Sequence, residues 1–124
     1  MPKAKPPLTP LELEIMQVLW EHGAGNVQSV QQNLGRELAY TTVQTMLNIL
    51  CRKGHVKRTL KQKAYVYRPS ISKSDVVKQT VGDMVDRLFG GSAESLVMSL
   101  VETKHLKADE IARLREMLDR EEGK

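Results

Sequence analysis

The chain has 124 residues, enough for one ordinary domain or for a small domain with an appendage, and its 40% hydrophobic and 27% charged residues argue against disorder. One cysteine, Cys51, excludes a disulfide framework and a Cys-rich metal cluster and fits a reducing, cytoplasmic compartment, while no apolar run approaches the ~18 residues of a membrane span. The net charge of +4 is uneven: residues 1–70 hold ten Lys/Arg against four Asp/Glu, residues 71–124 nine against eleven, and the seven basic residues from Arg52 to Arg68 have no acidic one among them, a pattern expected of a polyanion partner.

Residues 1–7 are basic but precede no apolar stretch, so they read as a tail rather than a signal peptide. Thr9-Pro10-Leu11-Glu12 then gives a helix N-cap, a proline at the first position and a glutamate at the third, with Leu8 and Leu13 placed as a hydrophobic staple. Leu11, Ile15, Met16, Leu19 and Trp20 recur at helical spacing up to a Gly23 stop, predicting a helix over roughly 10–22. A second, shorter helix is capped by Asn26, buries Val27, Val30 and Leu34, and ends at Gly35.

The third helix is the informative one. Thr41 to Gln44 spells a capping box, and Val43, Met46, Leu47 and Leu50 share one arc up to a Gly54 stop. The opposite arc carries Thr41, Thr45, Asn48 and Arg52, with Thr42 and Gln44 on its shoulders. It is polar and uncharged at its start and basic at its end. After Gly54 the period changes to two: Val56–Leu60 and Ala64–Tyr67 read as strands joined at Lys61-Gln62-Lys63, where the lack of Gly or Asn predicts a longer loop. Three helices followed by a basic hairpin is the order of a winged helix, here residues 1–70.

Residues 71–124 predict three more helices. Ser72 or Ser74 caps the fourth, whose stripe is Val77, Val81, Met84, Val85, Leu88 and Phe89 before the Gly90-Gly91 break. Ser92 starts the fifth, where Leu96 to Val101 is apolar almost all round and so calls for burial on most sides. The sixth, roughly 108–121, turns Ile111, Leu114 and Leu118 inward. Some fifty residues are too few to enclose the fifth helix, so a homodimer through Val77, Val81, Met84, Leu88, Phe89, Leu96, Val97, Leu100, Ile111, Leu114 and Leu118 is expected, with an intramolecular bundle as the alternative.

No catalytic constellation, metal site or cofactor motif is evident, so the chain is not expected to be an enzyme. His22, His55 and His105 share no helical face with another ligand type, and Gly90-Gly91-Ser92 follows a helix, not a strand. Cys51 reads as a small half-buried core residue. Double-stranded DNA, by contrast, has a coherent receptor. Threonine hydroxyls and methyls at a helix start meet base edges, and the cations beside them meet phosphates. The candidate contacts are Thr41, Thr42, Gln44, Thr45, Asn48, Arg52, Lys53, Lys61, Lys63 and Tyr67. Lys57, Arg58 and Arg68 add charge, and Tyr65, like Tyr67, offers a hydroxyl to the DNA backbone, with one of the two tyrosines expected in the core. A winged-helix protein-interaction module and a regulator sensing a hydrophobic ligand stay open.

Four stretches carry a resemblance: LTPLELEIMQVLW at 8–20, LAYTTVQTMLNILCRKGHV at 38–56, AYVYRP at 64–69 and ESLVMSLVE at 94–102. In these the chain resembles the penicillinase and methicillin-resistance repressors (the BlaI/MecI family). The resemblance implies a winged helix with a C-terminal helical dimerisation domain. It also implies a homodimeric repressor on an inverted-repeat operator of TACA/TGTA type, commonly controlling antibiotic-resistance genes. Base reading would fall on Thr41, Thr42, Gln44 and Thr45, and wing contacts on Lys61 to Tyr67. Relatives often have Ser-Pro-Lys where this chain has Ala39-Tyr40-Thr41, and a serine where it has Lys107. The resemblance further implies a partner membrane sensor protease. It cuts an Asn-Phe bond in the fifth helix of staphylococcal-type members, and the matching pair here is Ser99-Leu100.

Overall fold

The computed structural model describes residues 7–122. The tail read at 1–7 lies, up to residue 6, outside the described residues. Six helices and one hairpin follow in the order α1 (Pro10–His22), α2 (Val27–Asn33), α3 (Tyr40–Lys53), β1 (Val56–Lys61), β2 (Ala64–Pro69), α4 (Lys73–Leu88), α5 (Ala93–Glu102) and α6 (Ala108–Glu122). The chain divides into two compact units, one ending at Val76 and one beginning at Val77.

In the first unit α1 begins as its sequence dictates. Thr9 Oγ1 accepts the Glu12 amide at 3.3 Å, and Glu12 Oε1 accepts the Thr9 amide at 2.8 Å. Gly23, at φ 84°, closes the helix with its amide on the Leu19 carbonyl. Asn26 Oδ1 caps α2 through the Ser29 amide. Ile15, Met16 and Leu19 of α1, Val27 and Val30 of α2, Val43, Leu47 and Leu50 of α3, Val56 of β1 and Tyr67 of β2 make one core. Burial of each such aliphatic side chain is worth about 1.5–3 kcal/mol, so this cluster dominates the stability of the unit. Leu11 and Trp20 lie at its margin, and Trp20 Nε1 donates to the Ile71 carbonyl at 2.9 Å. Leu8 packs on the core too, whereas Leu13, its expected staple partner, is 37% exposed.

Three local expectations need correction. First, α3 starts at Tyr40 with Ala39 as its N-cap and no side-chain cap bond, so the Thr41–Gln44 box does not form. Thr41 is already inside the first turn and is exposed. Second, α2 stops one residue before Leu34, which caps it, rather than at Gly35. Third, the wing has a tight turn. Lys61 pairs with Ala64, leaving only Gln62 and Lys63 between the strands, at φ 50° and 70°. Two successive positive φ angles suit the right-handed twist of the strands, which prevails here over the residues' own preference. Gly25 adds a single bridge to Tyr67, amide to carbonyl in both directions at 2.9 and 2.8 Å, tying the start of α2 to the sheet.

Ser72, rather than Ser74, caps α4, its Oγ accepting the Asp75 amide at 3.0 Å. Ser92 caps α5 through the Ser95 amide. At α6 Lys107 brings no capping oxygen, but Glu110 Oε1 accepts the Lys107 amide at 3.0 Å, so half of a capping box survives. No residue of α4, α5 or α6 is buried in the single chain. In α5, Val97, Met98, Leu100 and Val101 are 36–52% exposed.

Candidate nucleic-acid interface

α3 turns Val43, Leu47 and Leu50 into the core, which leaves the opposite side of its first two turns to solvent. Thr41, Thr42, Gln44 and Thr45 are all exposed there, next to Tyr40 at 48% exposure. No acidic residue lies in that first turn. Arg52 is exposed at the other end of the helix.

The wing stands beside this helix. In the antiparallel register Arg58 is opposite Tyr67, and Leu60 opposite Tyr65. Alternation therefore puts Val56, Arg58, Tyr65 and Tyr67 on one face and Lys57, Lys61 and Arg68 on the other. Arg58 reaches α3, with Nη1 3.0 Å from Asn48 Oδ1, and its guanidinium carbon lies 4.2 Å from the Tyr65 ring centroid. An open concavity is lined by Thr45, Asn48, Cys51, Arg52 and Arg58. Lys61 and Lys63 are exposed at the hairpin tip. A second concavity, lined by Asn26, Lys61, Gln62, Ala64 and Val66, lies between the tip and the start of α2.

Thr41, Thr42, Gln44, Thr45, Arg52, Lys61 and Lys63 are exposed, whereas Tyr67 and Lys53 are engaged within the protein. Tyr67 is 1% exposed, and its hydroxyl donates to Asn48 Oδ1 at 3.2 Å, so it is a core residue and not a backbone contact. Burial raises its hydroxyl's pKa above 10.0, with Arg58 partly opposing. Lys53 is turned away from the polar face: its Nζ sits 2.7 Å from Glu12 Oε1, where its charge is matched by a buried carboxylate. Asn48 is half-buried, its carbonyl oxygen occupied by two protein donors. The sequence reading counts Arg58 only as added charge; its alternation with Val56 on one strand face is the signal that places it toward α3. Cys51 is half-buried at the edge of the concavity, and burial raises its thiol pKa while Arg58 lowers it. Among the described residues no group of His, Cys, Asp or Glu is placed to hold a metal ion.

The residues assigned to pairing lie on the second unit. Val77, Val81, Met84 and Leu88 of α4, Val97 and Leu100 of α5, and Ile111, Leu114 and Leu118 of α6 are exposed. Phe89 and Leu96 are half-buried. Ser99, half-buried, precedes Leu100 in mid-α5, and its carbonyl accepts from the Thr103 amide at 2.9 Å and hydroxyl at 2.8 Å.

The geometry is that of a winged helix, and comparison with known proteins agrees. The family model described as penicillinase repressor matches residues 8–120. The penicillinase repressor of Bacillus licheniformis is 30% identical over 119 residues, covering 94% of this chain and 93% of that protein. The solution structure of the DNA binding domain of the repressor BlaI is 34% identical, covers 60% of this chain and 93% of that one, and superposes with a TM-score of 0.52. A structure of the monomeric form of Bacillus licheniformis BlaI in complex with the blaP half-operator has the same identity and coverage and a TM-score of 0.51. With both the model and a full-length relative spanning almost all of it, the chain belongs to the penicillinase repressor family of transcriptional regulators.

Proposed function

We propose that two copies of this chain pair through α4–α6 and repress transcription from an inverted-repeat operator, with resistance or stress genes under its control. The observation that carries the DNA side is the exposed Thr41, Thr42, Gln44 and Thr45 face, with Arg52 and Arg58 beside Thr45 and with Lys61 and Lys63 exposed at the wing tip. Neutral side chains with hydroxyl and amide groups suit base edges in the major groove, and the cations around them suit phosphates. A relative of 34% identity solved in complex with a half-operator supports DNA as the partner.

Pairing follows from the second unit. Helices with no buried residue and exposed Val77, Val97 and Leu114 gain a core only from outside. A second copy supplies an identical apolar surface, as a two-fold dimer requires. Pairing sets two recognition helices at a fixed spacing, so half-sites repeat at about one helical turn of DNA. Splitting the pair relieves repression, because two linked half-site contacts hold far better than one. A cut by a partner protease at Ser99-Leu100 does this only after α5 unwinds locally, since the Ser99 carbonyl is bonded within the helix. On this reading the protein acts in the cytoplasm, and among the described residues no helix is long and apolar enough to cross a membrane.

The test is fluorescence anisotropy on a labelled TACA/TGTA inverted repeat and on a scrambled duplex across a salt series. Preference for the repeat by about a thousandfold, with a steep salt slope, is the expected result. Equal affinity for both duplexes would reduce the site to a basic surface. No binding to either at low salt would pass the fold to protein recognition.

A further inference from the structure

Asn48 Oδ1 accepts two hydrogen bonds, from Arg58 Nη1 at 3.0 Å and from the Tyr67 hydroxyl at 3.2 Å. On its other side the Arg58 guanidinium stacks on Tyr65, 4.2 Å from the ring centroid. Arg58 is thus gripped by a carbonyl from α3 and a ring from β2. Neither group carries charge. The contrast within the same unit is plain: Lys53 is matched by Glu12 and Arg36 by Glu14, at 2.7 and 2.9 Å. Arg58 is oriented without being neutralised. A guanidinium has five N–H donors, and the fork they form fits a phosphate. A free arginine must lose side-chain entropy to be held in one pose, and here part of that ordering precedes any ligand.

The geometry points to Asn48 as a positioning residue that does not read bases itself. It holds wing residue Arg58 against the recognition helix so that the guanidinium meets a DNA backbone phosphate beside the bases faced by Thr41–Thr45. The Tyr67 hydroxyl in turn fixes the Asn48 amide from the core side. This role rests on the operator reading given above, and it moves Asn48 from the base-contacting set to the support of a phosphate contact.

The experiment is a double-mutant cycle in the full chain. Asn48→Ala, Arg58→Ala and the double variant are titrated against the inverted-repeat and scrambled duplexes over a salt series, with a thermal melt of each. Alanine suits a helix interior. Asn48→Ala/Tyr67→Phe is measured alongside, because it removes the hydroxyl that Asn48→Ala strands. Each single variant is expected to weaken binding by about tenfold. Each should also flatten the plot of log affinity against log salt by about 0.9 per half-site. The double variant should bind no worse than Arg58→Ala, and the preference for the repeat should be unchanged. A merely structural role would lower the melting temperature and leave the salt slope alone. Additive losses, or an Asn48→Ala loss confined to the repeat at an unchanged slope, would overturn the proposal and make Asn48 a base reader; unchanged affinity overturns it as well. Failure of the unaltered chain to bind either duplex would overturn the operator reading and this role together.

Discussion

Lys53, in the last turn of α3, places its Nζ 2.7 Å from Oε1 of Glu12, in the first turn of α1, and that carboxylate is 1% exposed. The pair joins the ends of two helices that are far apart in sequence. Glu12 is also the reciprocal half of the α1 capping box, so one carboxylate serves both the start of α1 and the end of α3. Lys53→Met removes the cation and leaves a buried charge supported only by Thr9. The expected loss is about 2–3 kcal/mol in urea unfolding. Arg52→Met, one residue earlier and exposed, should change stability by less than about 0.5 kcal/mol. Equal effects at the two positions would show that the ion pair contributes nothing.

The same carboxylate predicts a pH dependence. Burial, the largest single influence, raises the Glu12 pKa, but hydrogen bonds from Lys53 and Thr9 and the Lys53 charge together hold it below its ordinary 4.5. A lowered folded-state pKa means the unfolded chain binds the proton first. The stabilisation is therefore complete above the ordinary carboxylate range and is lost as the pH falls through the folded value. Urea melts from pH 7 to pH 3 should show an acid-side decline that Glu12→Gln flattens. A decline of the same steepness in Glu12→Gln would assign the effect to other carboxylates.

Much of the first unit is written locally. The Thr9–Glu12 box, the apolar period of α1 and the Gly54 stop are each short-range signals, and each appears where the spacing puts it. The readings of Tyr67 and Lys53 depended on neighbours distant in sequence. Period-two alternation places Tyr65 and Tyr67 on the same strand face; only the packing of α3 on the base of the wing buries Tyr67 and leaves Tyr65 at 42% exposure. Arg52 and Lys53 are adjacent cations, and the buried Glu12 that separates their roles is some forty residues away. The start of α3 is not legible locally, because Ala39 has no side-chain signal and a Thr-x-x-Gln pattern follows it.

That missing signal is correctable. Ala39 has the extended backbone of an N-cap, φ −63° and ψ 146°, but no oxygen to offer the first amides of α3. Ala39→Ser supplies one and should stabilise the first unit by about 1 kcal/mol. The recognition helix would then begin from a fixed cap, and its melting temperature should rise. No rise would mean that the first turn is already held by its packing.

Pairing has its own test in the second unit. Val97 and Leu114 are 46% and 45% exposed in the single chain. Val97→Asp/Leu114→Asp puts charges into the surface that a second copy would cover, where unpaired charge is strongly unfavourable. Sedimentation should shift from dimer to monomer, and affinity for the full inverted repeat should fall by about 10²–10⁴ while affinity for an isolated half-site stays the same. A variant that remained dimeric would move the interface off these helices.

The wing tip separates stability from binding. Gln62 and Lys63 occupy the turn at φ 50° and 70°, and neither is a glycine. The left-handed region costs an ordinary residue about 1–2 kcal/mol. Gln62→Asn/Lys63→Gly installs the pair that this two-residue turn prefers, so the first unit should gain about 1 kcal/mol on thermal or urea unfolding. It also deletes a cation. If the tip meets a phosphate, the same variant binds the operator more weakly, with a salt slope reduced by about 0.9 per half-site. Lys63→Gly alone gives the same loss of slope, whereas Gln62→Asn alone leaves it unchanged. A stabilised protein that bound DNA with its original slope would remove Lys63 from the interface and leave the phosphate contacts of the wing to Arg58 and Lys61.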